Sequence, residues 1–164
     1  MVKFPVQIPE KMEAVLEFLD RADGDDWGIE DIRVTRAGII GRRERGKPIR
    51  FAFRCFDVPV RAEARMADGS VDLELAAVIG AVPFTAEAAD ARKRILSRVR
   101  GQRGLLLTDG RNLCAYSRCR IEAPLRPDNL MTELVCFMLE VKPEVEELEP
   151  LLPARHRARS SVAA

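Results

Sequence analysis

The chain has 164 residues, 47% of them hydrophobic and 32% charged, with 27 basic side chains against 26 acidic ones. Length predicts one core, because halves of such a chain would be too small to bury much apolar surface. The near-balance of charge excludes a global field that draws nucleic acid or an anionic membrane, and the composition excludes a disordered chain.

Residues 10–22, EKMEAVLEFLDRA, place Met12, Val15, Leu16, Leu19 and Ala22 at helical spacing. With Pro9 suited to the first turn and Gly24 to the stop, they predict an amphipathic N-terminal helix. The opening MVKFPVQIPEKMEAV carries charge and proline where a secretory signal needs an apolar run. The protein is therefore expected in the cytoplasm, with its cysteines reduced. After the turn-rich DGDDWG come the short segments DIRV and GIIGRR, and then PIRFAFRCF, in which Ile49, Phe51, Phe53 and Cys55 share one strand face.

The segment VPVRAEARMADGSVDLELA reads as a hairpin. Val58, Val60, Ala62, Ala64 and Met66 alternate with charged residues up to Asp68-Gly69, and Val71, Leu73 and Leu75 resume the alternation beyond it. The most apolar run, LAAVIGAVPF at 75–84, is about half of the roughly 20 residues that span a bilayer, so it is read as core and no membrane partner is expected. Thr85 offers an N-cap for a helix over 86–100, in which Ala88, Ala91, Arg92, Ile95 and Val99 follow a stripe interrupted by a single charge. LLLTDGRNLCAYSRCRIE at 105–122 predicts a second Asp-Gly hairpin. A long final helix follows, with Asp128 as a cap, Leu130, Leu134, Phe137, Met138 and Val141 on one face, and a kink or restart at Pro143. The tail PARHRARSSVAA, at 153–164, has neither period nor apolar content and is expected to be mobile and basic.

Chemistry is scarce. Cys114 and Cys119 are an odd number of residues apart, which turns them to opposite faces of a regular strand, and no paired C-x-x-C spacing supports zinc. His156 is the only histidine and lies in the tail, so a nucleophile–histidine relay lacks its base. Glu63, Asp72 and Glu74 fall at outward strand positions, where carboxylates serve solubility. Neither phosphate-cradling glycine motif occurs, and one Tyr and one Trp give no platform for stacking bases. RFAFR at 50–54 and DGS at 68–70 are similar in part to motifs of the cyclic-dinucleotide-binding PilZ domain, but the glycine that closes the second motif is absent. No catalytic residue, cofactor or metal is assigned.

The order of elements from residue 71 onward, VDLELAAVIGAVPF, a helix, RGLLLTDGRNLCAYSRCRIEAPL and a long final helix, resembles the type III secretion chaperone fold and the related YbjN-like proteins. The resemblance covers most of residues 10–152 and rests on element order and hydrophobic pattern. Extra strands between 29 and 47 and a neutral charge depart from the secretion chaperones and favour the YbjN-like branch. It implies an α+β fold over residues 1–152, with a largely antiparallel sheet of five to seven strands, N-terminal and middle helices, a long C-terminal helix, and copies that pair. The function expected is non-enzymatic binding of a protein or peptide partner, by strand addition or in an apolar groove, by a chaperone-like or adaptor homodimer. Self-association is assigned to Leu134, Val135, Met138 and Leu139, because LMTELVCFMLEV has apolar residues on more than one side. The alternative is a nucleic-acid- or nucleotide-associated regulator using the basic clusters at 42–54 and 92–103, with Arg92, Lys93, Arg98 and Arg100 as the candidate patch.

Overall fold

The structure, a computed structural model, describes residues 32–42, 46–101, 104–108 and 111–153. The helix expected over 10–22 lies outside them, as do residues 154–164 of the expected tail. The architecture is α+β: strands β1 (Ile32–Val34) and β2 (Ile40–Arg42) form a small antiparallel pair. Strands β3 (Ile49–Cys55), β4 (Val58–Ala67), β5 (Ser70–Ala81), β6 (Leu105–Thr108) and β7 (Asn112–Glu122) form one antiparallel sheet in the order β3-β4-β5-β7-β6. Helix α1 (Ala89–Gly101) stands between β5 and β6 in the chain, and α2 (Pro127–Leu148) follows β7 and ends in a single 3-10 turn, Glu149–Leu151.

The two-residue alternation read from the sequence sets the first face of the sheet. Ile49 and Cys55 of β3, Val60, Ala62 and Ala64 of β4, Leu73, Leu75 and Ala77 of β5, and Leu113, Ala115 and Ile121 of β7 are all buried there. Leu134, Phe137, Val141, Val145 and Leu148 of α2 and Ile95 of α1 complete the same core cluster. Met66, which continues the pattern at the hairpin's end, is 54% exposed although its cross-strand partner Val71 is buried.

Both two-residue turns of the β3-β4-β5 meander form. At Asp68-Gly69 only the glycine takes a positive φ, 72°, the pattern of a type II turn. At Phe56-Asp57 both residues do, at 51° and 60°, a type I′ pattern that ordinarily selects Asn-Gly. Beyond Val78 a bulge shifts the register of β5 against β7, and Gly80 there lies so close to Leu152 that an added Cβ would meet its Cδ1 at 2.9 Å.

The helix ends differ from expectation. α1 begins at Ala89, not beside Thr85, whose carbonyl instead accepts from the Ala88 amide in a preceding turn. Asp128 does not cap α2; Asn129 reaches back, accepting from the Arg126 amide at 2.8 Å and donating to the Pro124 carbonyl at 3.1 Å. Asp128 remains in the first turn, where negative charge suits the helix dipole. Of the kink or restart expected at Pro143, the restart does not occur, because α2 runs on through it. The carbonyl it deprives of a donor is that of Leu139, on the exposed side, where water can satisfy it.

Candidate interaction surfaces

The second face of the sheet carries the charge. Register brings Arg50, Glu63, Glu74 and Arg118 into one row across four strands, with Arg65, Asp72 and Arg120 in the next. Glu63 is not at the solvent, as its strand phase suggests, but 0% exposed. Arg50 Nε donates to its Oε2 and Arg65 Nε to its Oε1, both at 2.6 Å. Glu74, directly opposite, accepts from the Tyr116 hydroxyl at 3.0 Å and lies 3.9 Å from Arg118 Nε. Asp72 accepts from Arg120 Nε at 3.0 Å and from Arg118 Nη2 at 3.4 Å. The Arg120 hydrogen bond, helped by Arg118, holds the Asp72 carboxyl below the usual carboxylate range. Paired carboxylates can signal acid–base chemistry, but here both Glu63 oxygens are already engaged by guanidinium donors.

The cysteines divide as their phase demands. Cys114 pairs in register with Val78 on the charged face, where it is buried, and Cys119 pairs with Leu73 on the core face. Burial, together with the charge of Glu133 and a hydrogen bond to it, pushes the Cys119 thiol up to about 12, and burial also raises Cys55. Neither is a thiolate at neutral pH. Cys136 alone is exposed among the four cysteines. Brief alkylation of the folded protein near pH 7.5 is therefore expected to label Cys136 first, as peptide mass mapping will show. Labelling of Cys114 or Cys119 ahead of it would contradict this environment. Among the described residues no group of three or more His, Cys, Asp or Glu side chains is arranged to hold a metal ion.

Among the described residues, part of each basic cluster is engaged by neighbouring groups. Arg43, Arg45 and Arg103 lie outside the described residues, and Arg50 is held by Glu63. Arg92 donates to the Pro83 and Thr85 carbonyls at 3.2 and 3.4 Å and lies over the Phe84 ring. Arg98 makes a two-pronged pair with the buried Glu144 of α2, at 2.9 and 3.0 Å, and reaches Glu147 at 3.1 Å. That fork ties α1 to α2 and engages Arg98 of the expected partner patch, while Lys93 and Arg100 are exposed.

The expected self-association residues also separate. Leu134 belongs to the core, because it shares the buried side of α2 with Phe137 and Val141, and Met138 is half-buried against it. Val135 and Leu139 do face outward, and Met131, which sequence reasoning passed over, joins them. Its signal was the i, i+4, i+8 spacing.

Along part of β7 no partner strand is present among the described residues. The Tyr116 amide donates to the Gly104 carbonyl at 2.7 Å, so the backbone groups of the even-numbered residues of β7 point away from β5 and toward β6. β6 pairs only with residues 112–115, and at the far end Asn129 Nδ2 reaches the Glu122 carbonyl at 3.5 Å. Between these closures, among the described residues, no strand faces the outward N–H and C=O groups of Arg118 and Arg120. α2 runs beside this edge, with Glu133 hydrogen-bonded to Cys119. No helix of the described residues is long and apolar enough to cross a membrane. Searches of protein-family models, curated proteins and solved structures find no match to the chain.

Proposed function

We propose that the protein is a non-enzymatic, cytoplasmic binding module that takes an extended segment of a partner protein as an added strand along the outer edge of β7. The observation that carries this reading is the open run at residues 117–121, where two residues present both backbone groups with no neighbouring strand among the described residues. Each main-chain bond formed there contributes on the order of 1 kcal/mol, and side chains on either side of the added strand supply selectivity. Arg118 and Arg120 project beside the edge on the charged face, 57% and 70% exposed, and favour an acidic segment. A second copy adding β7 to β7 about Cys119 would set Arg118 against Arg120, a like-charge contact that opposes edge-to-edge self-pairing. The order of strands, helix, hairpin and long helix supports a chaperone-like or adaptor role of the kind the YbjN-like resemblance suggests.

Selection from a displayed library of random peptides tests the reading. The enriched sequences are expected to be extended and acidic, and to lose binding to an Arg120→Pro variant, which removes one outward N–H. Failure to enrich any sequence, or equal binding to Arg120→Pro, would overturn it.

A further inference from the structure

We propose that the outer face of α2 is a self-pairing surface on which a second copy of the chain lays its own α2 antiparallel, about a two-fold axis at Val135. This goes beyond strand addition at β7 and does not depend on it. Asp128, Met131, Val135, Leu139 and Lys142 fall on one side of the helix, because seven residues make about two turns. Met131, Val135 and Leu139 are 54%, 43% and 64% exposed, an apolar row on the side opposite Phe137.

The charges at its ends identify the occupant. Asp128 and Lys142 each stand seven residues from Val135, one acidic and one basic. Antiparallel pairing about Val135 sets Met131 against Leu139 of the second copy and Asp128 against its Lys142. Parallel pairing sets Asp128 against Asp128 and Lys142 against Lys142. The row is thus complementary to itself in one orientation, which is the requirement of an isologous interface. An unrelated partner would impose no such symmetry. Lys142 can turn to a new carboxylate at small cost, since its contacts with Glu146, 3.8 Å within the same helix, and with the Phe56 ring are both exposed and weak.

Phe56 adds an independent mark at the same end. Its ring lies 5.7 Å from Lys142 Nζ, it is exposed, and its backbone holds a φ of 51° that a bulky side chain disfavours.

Sedimentation equilibrium of the full chain is the test. Wild type is expected to pass from monomer to dimer as concentration rises through tens of micromolar, an order of magnitude suited to a small interface. Leu139→Glu should stay monomeric with its circular dichroism retained. Asp128→Lys and Lys142→Asp should each weaken dimerisation by about tenfold or more, and an equimolar mixture of the two should pair as the wild type does, because each then meets its opposite charge. The proposal is overturned if wild type remains monomeric up to about a millimolar. It is equally overturned if a dimer ignores all three substitutions, or if the two charge variants fail to restore each other.

Discussion

Replacing Glu63 with alanine should lower the free energy of unfolding by about 3 to 5 kcal/mol, the range for breaking a buried ion pair from one side. The carboxylate is wholly buried and receives two guanidinium groups, of which Arg50 is itself only 16% exposed. Without Glu63 that guanidinium keeps its charge in a place water scarcely reaches. The pair that looks similar on the same face, Asp72 with Arg120, sits with the arginine 70% exposed, and Asp72→Ala should cost no more than about 1 kcal/mol. Urea unfolding followed by circular dichroism measures both. A loss below about 1 kcal/mol for Glu63→Ala would mean that the site relaxes or hydrates when opened.

Proline substitution along β7 should produce opposite results at neighbouring positions. At Cys119 the amide points into the ladder with β5 and the side chain into the core, so Cys119→Pro should cost about 3 kcal/mol or more. At Arg120 the amide points to the open edge, so Arg120→Pro removes no ladder bond and should cost about 1 kcal/mol. Thermal unfolding of the two variants gives the comparison. Similar losses at both positions would show that the edge is engaged in the free protein.

Much of the sheet was legible because its cause is local. The alternation from Val58 to Ala64 and from Val71 to Leu75 places one face in the core whatever the strand order, and the odd separation of Cys114 and Cys119 turns them apart. What the sequence hid depends on neighbours distant in the chain. Glu63 reads as a solvent residue until register brings Arg50 across from it, thirteen residues away. Leu134 and Val135 are adjacent and equally apolar, and only the docking of α2 decides that one is core and the other outside. The open edge was illegible for the same reason, since it depends on β7 lying between β5 and a β6 only four residues long. Thr85 and Asp128 have the right chemistry for caps, yet a turn at Thr85 and the reach of Asn129 take their places.

Amide hydrogen exchange, resolved residue by residue by NMR, tests strand addition at β7 most directly. In the free protein the Arg118 and Arg120 amides are expected to exchange fast while those of Cys119 and Ile121, which face β5, exchange slowly. Adding an acidic peptide taken from the library selection should slow Arg118 and Arg120 and leave Cys119 and Ile121 unchanged. Protection of all four amides before any peptide is added, or peptide-induced protection confined to another part of the chain, would contradict the account.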